Sequence, residues 1–313
     1  MNAQTLRLGS RRSPMAMAQS RRVADMITER TGRPVEIVGV TTPGDVSWAR
    51  LHRIGGNGVF VGALREALLG GAVDLAVHSL KDLPTGPAAG IVLAAVPPRD
   101  DPRDALVARN GAKLADLPPG ATVGTGSPRR AAQVLLLRGD LRCVPIRGNA
   151  GTRLGMVTSG RLDAVVLARA GLARIGRADA VTEAFEPDEM LPAPGQGALA
   201  VECRADEPGL AAALDALTCP AGLAAVTAER GLLQALGAGC SAPVGAYAVG
   251  TRPLRMWAAV FGADGRRVLR THGAAPLGSS SPLAEALRLG RELAVELLCA
   301  GARDLMQVTG SGL

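Results

Sequence analysis

Apolar and polar positions recur in two different periods along the chain, and the switches between them mark out its elements. Residues 6–8 are a short apolar run that reads as a strand, after which Met15, Ala18, Val23, Met26 and Ile27 recur at helical spacing up to Gly32. That helix carries its own punctuation, with Ser13 as N-cap, Pro14 at the first helical position and Gly32 just past the end. Residues 35–40 are β-rich, residues 60–69 read as a helix closed by Gly70-Gly71, and residues 74–78 read as another strand. The same rhythm resumes with strands over 105–108 and 122–124, a helix from Ser127-Pro128 to Arg138, a strand over 143–146, a helix over 152–159 and a strand over 164–167. Two α/β units with largely parallel sheets are the expectation.

Two proline-rich breaks punctuate this pattern, Pro97-Pro98-Arg99-Asp100-Asp101-Pro102 and Leu191-Pro192-Ala193-Pro194-Gly195-Gln196-Gly197, and both read as crossover hinges. Past Pro220 the pattern changes to a helix over 223–236, a glycine-rich loop, three strand-like runs around Val244, Met256 and Val268, and a last helix over 282–303. A small α+β domain therefore closes the chain.

At 313 residues, with 47% hydrophobic and 20% charged positions, the chain is expected to fold into two or three globular domains. Aromatic residues make up only 2%, so the stacking platforms that single-stranded nucleic acids need are poorly supplied. The longest uncharged stretch, residues 231–251, is interrupted by Gln234, Cys240, Ser241, Pro243 and five glycines and cannot make a membrane-spanning helix. No apolar run follows the N-terminal arginines to suggest a secretory signal, which leads to the expectation of a soluble cytoplasmic protein. Five widely spaced cysteines without a CxxC pair point to neither a disulfide framework nor a metal site.

The net charge of +7 is unevenly placed. Between residues 98 and 177 fourteen basic residues face six acidic ones, whereas between 178 and 220 one arginine faces nine acids. Of the 35 basic residues only Lys81 and Lys113 are lysine. Arginine offers a planar fork that grips carboxylate or phosphate through two bonds, so this middle segment is a candidate receptor for an anion.

Particular constellations sharpen that expectation. Arg11-Arg12-Ser13-Pro14 and Ser127-Pro128-Arg129-Arg130 repeat one construction, arginines beside a helix start whose unpaired N–H groups favour an anion. Read alone, each is also an ordinary cap with solvent-facing arginines. Arg147-Gly148-Asn149-Ala150-Gly151-Thr152-Arg153 places a further pair near a third helix start, and Arg174 follows. His78-Ser79-Leu80-Lys81-Asp82 ends a strand, where ligands of α/β sheets bind, and pairs a cation with a carboxylate able to steady a transient positive charge or move a proton. His78 itself reads as a hydrogen-bonded core residue. Cys240 lies in Leu236-Gly237-Ala238-Gly239-Cys240-Ser241, an uncharged glycine loop suited to an accessible nucleophile or attachment point, although a buried inert thiol is the ordinary state of a cysteine. No GxxxxGK[ST], complete GxGxxG, GxSxG or HExxH occurs, so ATP, dinucleotide and zinc chemistry recede.

These segments, together with Asp74 to Pro84, Gly124-Thr125-Gly126 ahead of Ser127 and the Pro192 to Gly197 turn, run in order over nearly the whole chain and resemble porphobilinogen deaminase, or hydroxymethylbilane synthase. The resemblance implies a transferase that joins four porphobilinogen molecules head to tail, releasing ammonia each time and then linear hydroxymethylbilane in haem biosynthesis. It implies a dipyrromethane cofactor, one per chain, held by Cys240 through a thioether. Asp82 would be the catalytic carboxylate, stabilising a positive pyrrole nitrogen. Lys81, Ser79, Ser127, Arg129, Arg130 and Asp82 would bind the cofactor, and Arg11, Ser13, Arg147, Arg153, Arg174, Gln196 and Phe60 the substrate. The implied fold is two hinged α/β domains resembling periplasmic anion-binding proteins, residues 1–97 completed by 198–217 and residues 98–197, with residues 218–313 forming the C-terminal domain of a monomer. Asn57 and Gly62-Ala63 depart from the family's usual lysine and basic–acidic pair, and Pro128 and Ser241 replace commoner residues.

Two other readings use the same residues. A non-catalytic two-domain anion-binding protein would need the arginines but neither Asp82 nor Cys240. A basic nucleic-acid binder would follow from net charge alone and would lose affinity steeply with salt.

Overall fold

The computed structural model describes residues 4–41, 58–239, 241–278 and 281–307, with residues 58–60 described by their backbone. In chain order, the first elements are β1 (Leu6–Ser10), α1 (Pro14–Thr31), β2 (Val35–Gly39), α2 (Gly58–Leu69), β3 (Leu75–Ser79) and β4 (Ile91–Ala95). Then come β5 (Asp104–Ala108), β6 (Thr122–Gly124), α3 (Pro128–Leu137), β7 (Arg142–Val144), α4 (Ala150–Thr158), β8 (Ala164–Ala168), α5 (Arg169–Arg174) and β9 (Glu183–Ala184). The chain continues through β10 (Leu199–Arg204), α6 (Pro208–Asp215), α7 (Pro220–Ala235), β11 (Val244–Val249), β12 (Leu254–Phe261), β13 (Val268–Ala275), α8 (Pro282–Cys299) and α9 (Ala302–Gln307). The α/β expectation holds, with an α+β segment at the C-terminal end.

Two compact units result, Met1–Asp100 with Ala198–Leu223, and Asp101–Gly197 with Ala224–Leu313. The first is built on a sheet of order β2-β1-β3-β10-β4, in which β1, β2 and β3 run parallel and β10 pairs antiparallel with both β3 and β4. Its two faces are covered, as a parallel sheet requires. Val23 and Ile27 of α1 and Leu210 and Leu214 of α6 pack with Leu8, Leu75 and Val201 in one cluster, and Leu64 and Leu68 of α2 pack with Ala76 in another.

The second unit contains a sheet of order β7-β6-β8-β5-β9, again three parallel strands followed by one antiparallel strand, β5. Val134 of α3 and Leu154 and Val157 of α4 belong to separate clusters on this sheet. The antiparallel meander β11-β12-β13 buries Ala246, Met256 and Ala258 against α7, α8 and α9. Ala259 and Phe261 of β12 pack instead with Leu191 and Ala132.

Three sequence expectations need correcting. The two five-stranded sheets are largely parallel as expected, each with one reversed strand, but β4, β9 and β10 are strands that the apolar pattern does not mark. The strand expected over 143–146 ends at Val144, from which the chain leaves the sheet toward α4. The last helix, expected over 282–303, stops at Cys299 because Gly301 adopts a left-handed φ of 97°, and a separate short helix follows. Among the described residues no single helix is long and apolar enough to cross a membrane.

Candidate active site

In the first unit the carboxyl ends of the parallel neighbours β1 and β3 carry the residues singled out from sequence. β1 ends at buried Ser10 and the chain turns into α1 through Arg11 and Ser13, both half-buried. Ser13 is the N-cap, its Oγ accepting from the Ala16 amide at 3.3 Å, with Pro14 following as read. β3 delivers His78 and Ser79, and a single 3-10 turn, Leu80–Asp82, holds Lys81 and Asp82 half-buried beyond its end. The Leu80 amide bonds to the Ala198 carbonyl at 3.0 Å, which anchors this turn to the start of β10.

Gln19 belongs beside these residues, although it lies outside the motifs that the sequence singles out. It is 5% exposed on the face of α1 that also buries Val23 and Ile27, and its Nε2 donates to Ser79 Oγ at 2.8 Å. The signal was present, because a long polar side chain occupies the apolar stripe at i, i+4, i+8.

His78 is a core residue as expected, but the expected hydrogen bond is not made by its Nε2, which stands 3.2 Å from Glu202 Oε2 without being aligned for one. Glu202 on β10 accepts instead from both edges of Arg65, Nε at 3.0 Å and Nη2 at 2.6 Å. Burial pushes the Glu202 carboxyl up, but the His78 ring and the Arg65 fork outweigh it and hold the group down at about 2.

In the second unit, β6, β7 and β8 are parallel neighbours, and their carboxyl ends lead to Ser127, Arg147 and α5 respectively. Ser127 caps α3, its Oγ accepting from the Arg130 amide at 3.4 Å. Gly126 lets the backbone pass close by, since a Cβ there would stand 2.8 Å from the Ile146 carbonyl oxygen and 3.9 Å from an Arg153 nitrogen. Arg153 is half-buried, donates from Nε to the Gly148 carbonyl at 3.0 Å, and has its pKa lowered by burial and by the nearby charge of Arg130. Asn149 caps α4 by accepting from the Thr152 amide at 2.9 Å, and Arg147 before it is exposed. Arg174, on α5, donates to the Gly197 carbonyl at 2.6 Å.

Arg129 and Arg130 are not the solvent-facing pair that simple capping would give. They are 2% and 6% exposed and converge on Asp104, which is fully buried at the start of β5. Arg129 Nη1 lies 2.7 Å from Asp104 Oδ2 and 2.6 Å from the Leu191 carbonyl. Arg130 places Nε and Nη2 at 2.9 and 2.8 Å from Oδ1. Gln196 completes the arrangement, donating to Oδ1 at 2.9 Å and to the Pro102 carbonyl at 2.7 Å while Arg130 Nη2 reaches its Oε1 at 3.3 Å. Burial disfavours the Asp104 charge, yet the two guanidiniums and Gln196 outweigh that and leave its carboxyl below the usual carboxylate range.

The adjoining turn is held from the other side by Glu229 of α7, fully buried, which accepts from the Gly195 amide at 2.6 Å and the Ala248 amide at 2.8 Å. Sequence reasoning named neither Asp104 nor Glu229. The one cue for Asp104 was an acid opening an otherwise apolar strand. Cys240 and Asn57 lie outside the described residues, as does the side chain of Phe60; on either side of Cys240, the Ala242 amide bonds to the Gly239 carbonyl at 3.0 Å.

The structure thus assembles Arg11, Ser13, Ser79, Lys81 and Asp82 on one sheet edge of the first unit, and Ser127, Arg129, Arg130, Arg147, Arg153, Arg174 and Gln196 in the second. Helix N-termini and guanidinium forks on the carboxyl ends of parallel strands are equipment for recognising carboxylates or phosphates.

Comparison with known proteins gives the arrangement a context. Residues 6–212 match the family model described as porphobilinogen deaminase, dipyromethane cofactor binding domain, and residues 223–299 match porphobilinogen deaminase, C-terminal domain. A porphobilinogen deaminase of Thermobifida fusca is 58% identical, the alignment covering 100% of this chain and 99% of that protein. Porphobilinogen deaminase 1 of Streptomyces coelicolor is 55% identical over 98% of each. A periplasmic substrate-binding protein of an ABC transporter from Coxiella burnetii covers 72% of this chain and 96% of its own at 19% identity and a TM-score of 0.42, too loose a likeness to build on. On the full-length matches, this chain belongs to the porphobilinogen deaminase family.

Proposed function

We propose that the chain is a hydroxymethylbilane synthase, a transferase that condenses four porphobilinogen molecules head to tail with release of ammonia and finally of linear hydroxymethylbilane. The observation that carries this reading is the family match along the whole chain, with Lys81 and Asp82 together beyond the end of β3. Asp82 is the proposed catalytic carboxylate. Loss of ammonia leaves positive charge on a pyrrole nitrogen of the substrate, and a carboxylate fixed beside it lowers the energy of that state. Lys81, with Ser79 held by Gln19, orients an acidic side chain of the bound molecule.

The matched domain takes a dipyrromethane cofactor in its family, and the residues here suit such a group. Ser127 at the start of α3 brings a hydroxyl and helix amides, and the half-buried guanidinium of Arg153 lies beside Gly126, donors of the kind that receive carboxylates. Cys240 is the proposed thioether anchor, and Ser79, Lys81, Asp82, Ser127, Arg129 and Arg130 the proposed holders. When bound, the group supplies the pyrrole end from which the product is extended. Arg11, Ser13, Arg147, Arg153, Arg174, Gln196 and Phe60 are assigned to the substrate. With two carboxylates on each pyrrole, the bound molecule reaches about a dozen negative charges, whose mutual repulsion fixed cations offset.

The reading further takes the enzyme to be a cytoplasmic monomer with neither nucleic acid nor membrane as partner. It divides the chain into residues 1–97 with 198–217, residues 98–197 between hinge crossovers, and residues 218–313. The separate core of the C-terminal segment, around Leu232, Met256 and Leu293, supports the last division. The test is incubation with porphobilinogen while ammonia and linear tetrapyrrole are followed. Turnover is expected in the native chain, and Asp82→Asn is expected to lower it by about a hundredfold or more. A chain that binds porphobilinogen without releasing ammonia would favour the non-catalytic anion-binding reading instead.

A further inference from the structure

We infer that Asp104 is a positioning residue for the reaction: buried beneath the arginine pair, it sets the direction of both guanidinium forks without touching the substrate. The inference deepens the proposed function and rests on it. Arg129 and Arg130 are consecutive residues in the first turn of α3, and consecutive helical side chains diverge by about 100° around the axis. Here both bend onto one carboxylate, Arg129 onto Oδ2 and Arg130 onto Oδ1, so the acid dictates where each fork lies. Asp104 has no exposed surface, and its remaining contact on Oδ1 is the amide of Gln196.

Further bonds hold each fork: the Arg129 Nη1 that meets Asp104 also donates to a second acceptor, and Arg130 uses its remaining nitrogen, Nη1. Arg129 is pinned to the Leu191 carbonyl at 2.6 Å, and Leu191 is held in turn by the Gln133 side chain, which accepts from its amide at 2.7 Å. Arg130 reaches the Val166 carbonyl at 3.3 Å on β8. Three guanidiniums, Arg129, Arg130 and Arg153, stand in this region, close enough for the charge of Arg130 to act on both others. Without Asp104, two buried like charges would face one another unscreened, and the forks would have to turn apart.

Two roles for Asp104 make opposite predictions. If it only neutralised charge, removing it would make the region more positive and tighten the hold on an anionic substrate. If it positions the forks, removing it frees both arginines, assigned above to the cofactor, together with Gln196, assigned to the substrate, and so loosens that hold in spite of the added charge.

The experiment compares the native chain with Asp104→Asn, an isosteric change that removes the charge. Covalent cofactor loading is read by intact-protein mass, folding by circular dichroism and Tm, and KM and kcat with porphobilinogen. Leu106→Ala, a core truncation in the same strand, supplies a destabilised control. The expected result is a KM raised about tenfold or more and a reduced loaded fraction in Asp104→Asn, with KM unmoved in the control at a comparable loss of Tm. If Asp104→Asn does not fold, Asp104→Glu keeps the charge but shifts the carboxylate by one methylene, and its KM is expected to rise likewise. A KM that falls, or stays within about twofold of native in the folded variant, overturns the inference while leaving the proposed function standing. A native chain that neither loads nor releases ammonia overturns both.

Discussion

Gln19 and Asp82 are set apart by how visible each was before the fold was known. Asp82 could be read from its place after an apolar strand and beside one of two lysines. Gln19 shows its role only once α1 lies against the end of β3, because its partner Ser79 is sixty residues away. Asp104 was hidden for the same reason, its partners coming from α3 and from the Gly195-Gln196 turn. Replacing Gln19 with Ala is expected to leave Ser79 Oγ without this donor and to raise KM more than it lowers kcat, measured by steady-state kinetics. Gly126→Ala is expected to destabilise the protein by about 1–3 kcal/mol, since the backbone oxygen it meets cannot yield as a side chain would, and urea unfolding would report the loss.

At the scale of elements, the helices announced themselves through their caps. Ser13 and Ser127, each followed by proline, both accept the expected backbone amide, and Ser127→Ala is expected to cost about 1 kcal/mol in thermal unfolding. The strands were legible only where they alternate with helices. β10 follows a proline-glycine turn and looks like linker, yet it pairs with β3 and β4, more than a hundred residues earlier in the chain. Its acid Glu202 gives the element a measurable pH signature. A carboxyl depressed from 4.5 to about 2 adds stability that is present above the unfolded-state value and is lost as pH falls through the folded one. Stability is therefore expected to drop between about pH 4.5 and 2, by on the order of 3 kcal/mol, and Glu202→Gln to flatten that slope in denaturant titrations.

For the whole molecule, the sequence told the α/β character, the two proline-rich crossovers and the closing α+β segment, because these are matters of local period and punctuation. It did not tell that arginines surplus to the surface are partly consumed inside, since only tertiary pairing brings Asp104 and Glu202 to them. The crossovers also exchange strands in the order of the chain: β5 enters its sheet after the first proline break and β10 after the second. A nascent chain emerging from the ribosome would thus have β1 to β4 in hand long before the strand that belongs between β3 and β4. Until Leu199–Arg204 is synthesised, the inner edge of β3 is open and β4 lacks the strand it pairs with, and each is a template for pairing with another copy. The amino-terminal half of this enzyme would then be the segment most in need of chaperone cover during translation, although it is made first.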